Sequence, residues 1–199
     1  MSRQELRRKC EDAADLLVPF FSEEYDIDLH EPDFIVLSRD EFESQGRMNY
    51  KMKDSVSDYN GEVIVLYDEL WPETAINKSV AHELGHVAKD INSKEVIDSV
   101  EYPKGKYVPC LDEGIAKHFE REGIRYLEKY FEDKDPFKSK CHKAMRLYED
   151  MKLKKNRALP GDDKYKLGDK IFSTLDKEEV KEALERPKRF FKEVDFSSL

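Results

Sequence analysis

The sequence predicts an α+β fold, with a small N-terminal mixed or antiparallel sheet followed by a mostly helical C-terminal part, and three observations carry that expectation. Two runs rich in β-branched residues, "DFIVLS" at 33–38 and "GEVIVLYDEL" at 61–70, come early and follow turn-forming residues. From residue 72 onward the apolar residues recur at helical rather than alternating spacing. Proline and glycine in "VEYPKGKYVPC" (100–110) and "ALPGDDKY" (158–165) divide that helical stretch into pieces.

Ser2 followed by Glu5 is a capping-box pattern, and Leu6, Cys10, Ala13, Leu17 and Phe20 repeat at helical spacing. A first helix is therefore expected to run to about Pro19 or a little beyond. The run "RMNYKM" (47–52) alternates and reads as a third strand between the two stronger ones. Pro72 and Thr74 then open a helix that continues to about Ile91. The next helix is expected from Leu111 or Asp112, burying Ile115, Phe119, Tyr126 and Tyr130. Phe137, Cys141, Ala144, Tyr148 and Met151 mark another after Pro136. A last one, "LDKEEVKEALERP", is capped at Asp176 and stopped by Pro187. At 199 residues the chain suits one sizeable core. One domain is expected over 1–199: helix and sheet in 1–70, two central helices in 71–131 and a helical extension in 132–199.

Charged residues make up 40% of the chain and hydrophobic ones 39%, enough to pack an interior while staying in water. No run of 18 apolar residues occurs, and "MSRQELRRKCEDAADLL" carries charge where a signal peptide has an apolar stretch. Cys10, Cys110 and Cys141 are odd in number and far apart, which suits a reducing compartment. These features point to a cytoplasmic protein without membrane contact. The net charge of -9 argues against a general nucleic-acid binder. Twelve Lys/Arg against six Asp/Glu between Lys134 and Lys170 make one segment basic, as a solvated helix face would be.

The string "SVAHELGHVAKD" (79–90) carries the chemistry. With Val80 at zero on a helical wheel, Ile76, Leu84, Val87 and Ile91 fall within about 40° of it and form the packing stripe. His82 and His86 fall together about 140° from that stripe, one turn apart. Two imidazoles so spaced bind one Zn²⁺, and Glu83, about 60° from His86, is placed to act on a water there. The competing reading is two surface histidines on a solvated helix. A catalytic zinc needs a third ligand and an open position. Asp90 lies roughly 12 Å along the axis from His82, too far to converge with it, and position 92 is Asn. In "CLDEGIAKHFE", Glu113 is the best candidate, on a helix where Gly114 permits close packing; Asp112 and His118 are the substitutes. The alternative for Glu113 is an exposed ion pair with Lys117. Tyr102, Tyr107, His118 and His142 are candidate oxyanion donors. Cys110 is a candidate for holding the open metal position in a latent form, against the alternative of a buried, inert thiol. The tail "RFFKEVDF" either covers the cleft or packs on the body.

At "HELGH" (82–86) and "LDEGIA" (111–116) the sequence resembles gluzincin zinc metallopeptidases, over roughly residues 60 to 125 and closest to the compact members called minigluzincins. The resemblance implies a zincin-like active-site helix preceded by an edge strand, here "GEVIVLYDEL". It implies zinc on His82, His86 and Glu113, with Glu83 as general base in peptide hydrolysis. The string "AHELGH" is also similar to ImmA/IrrE-type regulatory peptidases, although no helix-turn-helix partner region is present. The acidic residue that often follows the ligand glutamate by four positions in thermolysin-like enzymes is Lys117 here. The rival to a peptidase acting on a peptide or protein substrate is a non-catalytic zinc protein whose metal ties helices together and whose basic segment binds a partner.

Overall fold

The computed structural model describes residues 1–44, 55–57, 62–66, 71–94, 108–157, 171–187 and 189–190. The expected strand 47–52, the break 158–165, Tyr102, Tyr107 and most of the "RFFKEVDF" tail lie outside these residues. The described elements are α1 (Arg3–Tyr25), β1 (Asp33–Leu37), α2 (Arg39–Ser44), β2 (Ser55–Ser57), β3 (Glu62–Leu66), α3 (Glu73–Asn92), α4 (Val108–Tyr130), α5 (Pro136–Arg157) and α6 (Lys177–Glu185). A small sheet thus precedes a largely helical part, the α+β arrangement expected.

Helix α1 starts on the Ser2–Glu5 capping box and runs six residues beyond Pro19. Pro19 and Asp15, whose carbonyl loses its helical partner there, are both exposed, so solvent can meet the unpaired carbonyl and the helix continues. A second box, with the Glu41 amide donating to Ser38 Oγ at 3.2 Å and the Ser38 amide to Glu41 Oε2 at 2.7 Å, starts the short α2. Helix α6 begins on the Asp176–Glu179 box and ends at Glu185, two residues before Pro187.

The sheet order is β1-β3-β2, with β1 parallel and β2 antiparallel to β3, so it is mixed. This corrects the expectation that "GEVIVLYDEL" forms an edge: β3 is the central strand, paired on both sides. Val63 and Val65 face the main core, while Ile64 and Leu66 pack with Phe42 of α2 on the other face. Burial on both faces explains the unbroken apolar run "VIVL". The main core joins Leu6, Leu17 and Phe21 of α1 to Ile76, Val80 and Leu84 of α3, Ile115 and Phe119 of α4, and Val180 and Leu184 of α6.

Helix α4 starts three residues earlier than expected, because Pro109 falls in the first turn, where its missing amide costs no helical bond. Its buried stripe ends on Ile124 and Leu127, whereas Tyr126 and Tyr130 are only half-buried; Tyr126 stacks on Phe20 at a centroid distance of 4.2 Å.

Helix α5 is present after Pro136 as expected, but it exposes most of the apolar residues whose spacing marks it. Phe137 is 75% exposed, Ala144 is also exposed, and Leu147, Tyr148 and Met151 are about half exposed; the buried residues are His142 and Glu149. The inward face is polar because its counterparts on α3 and α4 are polar. Asn77 lies 3.0 Å from His142 Nε2, Lys78 donates to Glu149 at 2.8 Å, and Arg146 donates to Glu128 at 2.6 Å. No described helix is long and apolar enough to cross a membrane.

Candidate metal centre

Helix α3 is buried over a wider arc than its apolar stripe predicts. Ala81, Gly85 and Ala88 form a second, small-residue face that is also covered. A Cβ at Gly85 would lie 2.6 Å from the Ala116 Cα, so the helix backbones approach through this glycine. That contact, inside "HELGH", holds the Glu113 turn of α4 against the two histidines; the sequence suggested Gly114 for this purpose. Only the remaining arc of α3, carrying His82 and His86, is left to face α4's carboxylates.

His82, His86 and Glu113 each offer a donor atom, and these atoms lie within 4.8 Å of one another. His82 Nε2 stands 3.7 Å from Glu113 Oε2, and the two imidazole centroids are 5.1 Å apart. Donors around a tetrahedral zinc are separated by about 3.3 Å, so small side-chain movements close the triad on an ion. All three residues are half-buried, leaving one side of the cluster open to solvent. Glu113 sits in the second turn of α4 rather than at its start. Its alternative partner is otherwise engaged: Lys117 donates to Glu120 at 2.7 Å.

Glu120 is the residue that the sequence reading missed. Its side chain is 3% exposed, and its Oε2 lies 3.2 Å from His82 Nδ1. An ionised carboxylate there accepts the Nδ1 proton, which leaves Nε2 as the lone-pair nitrogen on the Glu113 side. Burial pushes the Glu120 carboxyl up, but the His82 hydrogen bond and the Lys117 and Lys78 charges outweigh it and hold the group well below the usual carboxylate range. The thermolysin-like spacing of four positions therefore fails because the orienting acid is seven residues after Glu113, two turns along the same face. A residue seven positions on is a helical neighbour, and that is the signal by which Glu120 was findable.

The fit to zinc rests on this donor chemistry: two imidazoles, one carboxylate, and a second carboxylate setting one imidazole's tautomer. Two histidines and a glutamate arranged in this way match the zinc-binding site of gluzincin-type enzymes. Glu83 is buried, between the histidine-bearing arc and the apolar stripe, in a close-packed recess with Cys10, Val63, Val65 and Ser79. Burial pushes the Cys10 thiol up to about 12, with Glu11 adding to the effect, so Cys10 is an inert core residue.

The other candidates do not join the cluster. His118 is buried, with Tyr25 Oη 2.7 Å from Nε2 and the Phe172 carbonyl 3.1 Å from Nδ1, so it ties α1 and the 171–172 segment to α4. His142 Nδ1 donates to the Lys138 carbonyl, and its ring stacks on Phe131. Neither belongs to the cluster of His82, His86 and Glu113, and both ring nitrogens of each have partners elsewhere. Asn92 holds both the amide and the carbonyl of Asp28. The side chains of Cys110 and Asp112 lie outside the described residues. No protein-family model matches the chain, and no curated protein or solved structure is significantly similar to it.

Proposed function

We propose that the protein is a zinc-dependent peptidase in which His82, His86 and Glu113 hold the metal and Glu83 is the general base. The observation that carries this reading is the meeting of the two imidazoles on α3 with the α4 carboxylate, backed by Glu120 behind His82. Zinc at such a site supplies an acidified water and a polarised carbonyl. His82, fixed by Glu120, and His86, on the rigid helix one turn away, keep their donor nitrogens aimed at one point. Glu83 takes a proton from the attacking water and delivers it to the departing amine. Because β3 is enclosed, an extended substrate would pair with an outer strand, and among the described strands β2 is the outer one that contacts α3. A peptide or protein pairing there is held by its backbone, so such binding reads little sequence. The free thiols of Cys10 and Cys141 support a cytoplasmic location.

The test compares wild type, Glu83→Gln and His82→Ala by elemental analysis and by hydrolysis of a broad peptide library. Wild type should carry one zinc and cleave peptides. Glu83→Gln should keep the zinc and lose about 10²–10⁴-fold in rate, and His82→Ala should lose both. Stoichiometric zinc with no cleavage of any peptide by wild type would instead favour a metal-stabilised interaction protein, whereas a regulatory peptidase would cleave one particular protein partner and show little general activity.

A further inference from the structure

Helix α5 meets α3 through consecutive residues, Asn77 with His142 and Lys78 with Glu149. The second of these contacts does not stop at α3. Lys78 Nζ is 2.8 Å from Glu149 Oε1 and 3.4 Å from Glu120 Oε1, and Glu120 Oε2 is 3.2 Å from His82 Nδ1. Glu120 Oε1 is buried without a hydrogen bond, so the Lys78 charge is what stands opposite it. A line of alternating charges therefore runs from α5 through α3 and α4 to a residue of the metal triad.

We infer that Lys78 and Glu149 are positioning residues for His82, acting through Glu120, so that α5 is tied by ion pairs to the metal centre. The inference rests on the zinc reading of the site. Glu120 Oε2 stands 3.2 Å from His82 Nδ1, so whatever holds this buried carboxylate in place also fixes the orientation of the His82 ring. Lys117 occupies Oε2, and Lys78 is the cation that faces Oε1. Lys78 lies one turn before His82 on the same helix, so its stem is aimed at Glu120 by the backbone that also aims the ligand. Its side chain is 22% exposed, which leaves it a route to solvent, and Glu149 closes that route from the α5 side. Stability alone does not account for such an arrangement, because well-packed apolar residues of similar volume commonly do as well as a buried ion pair. An anion at position 149 is explained by what Lys78 must do.

The Arg146–Glu128 pair is a suitable control: it joins α5 to α4 at 2.6 Å and leads away from the metal triad. The experiment measures zinc affinity by chelator competition, the visible spectrum of the Co²⁺-substituted protein, and the melting temperature of the metal-free form. It covers wild type, Lys78→Met, Lys78→Arg, Glu149→Gln, the Lys78→Met/Glu149→Gln double variant and Arg146→Met. Lys78→Met and Glu149→Gln should each weaken zinc binding by about tenfold and shift the Co²⁺ bands. The double variant should bind no more weakly than Lys78→Met, since both act through one carboxylate, and Lys78→Arg should stay near wild type. Arg146→Met should melt earlier with unchanged zinc affinity and spectrum. If Lys78→Met does not fold, Glu149→Gln carries the same test. Zinc affinity and Co²⁺ bands in the Lys78 and Glu149 variants that match those of Arg146→Met would overturn the inference and leave the zinc reading intact, whereas no zinc binding by wild type would remove both.

Discussion

Burial, with the nearby Arg121 charge and a smaller effect of Arg125, brings the His118 imidazole down to about 4, against the hydrogen bond from its ring to the Phe172 carbonyl. The unfolded ring titrates near 6.5. Between those values the unfolded chain binds a proton that the folded chain refuses, so stability falls as pH drops from about 6.5 to about 4. The loss from this one ring is at most about 3 kcal/mol. His142, also lowered chiefly by burial, adds a loss of the same sign. Glutamine at position 118 can donate to Phe172 and accept from Tyr25 without a charge to gain. His118→Gln should therefore flatten the pH dependence of the urea midpoint in that interval; a slope equal to wild type would show that His118 does not set it. The two buried histidines illustrate what residue type leaves open. His82, His86, His118 and His142 look alike in the sequence until their neighbours are known, and only the first two had a spacing that argued for them.

Between elements, the decisive contact is α3 against α4 at Gly85. Gly85→Ala places a methyl 2.6 Å from a backbone atom, Ala116 Cα, so α4 must shift rather than a side chain rotate. The expected cost is about 1–3 kcal/mol, with zinc binding weakened as well, since Glu113 lies three residues from the contact. Urea denaturation and chelator competition measure the two effects, and a stability loss with unchanged zinc affinity would separate the contact from the site. Helix α5 makes the opposite point about sequence reading. Its apolar periodicity is real, yet Phe137, Tyr148 and Met151 face outward. Phe137→Ser should change stability by no more than about 0.5 kcal/mol. His142→Ala, which leaves Asn77 without its partner, should cost about 1–3 kcal/mol. The reverse order in a thermal melt would mean that the apolar face is the packed one.

At the level of the whole molecule, the metal triad joins two helices that also share the main core with α1, the sheet and α6. Zinc that binds only the folded chain must therefore raise its stability by mass action. At 100 times Kd the gain is about 2.7 kcal/mol, and for a chain of this size the melting temperature should rise by roughly 5–10 °C. His82→Ala should abolish the rise. A rise that survives in His82→Ala would place the stabilising metal elsewhere.

Local signals were strong wherever short-range chemistry sets the structure. The Ser2–Glu5 and Asp176 caps, the apolar strands and the facing of His82 and His86 all depend on neighbours within one or two helical turns or on strand alternation, so they are legible in the chain. The same cap at Ser38–Glu41 starts α2, but a six-residue helix has too few turns for an apolar period to show beside it. What needed three dimensions was every decision made across elements: that β3 is central rather than an edge, that α5 turns its polar side inward, that Gly85 is the close approach, and that Glu120 stands behind His82. Each of these depends on which surface arrives opposite, and periodicity within one segment carries no information about the face it will meet.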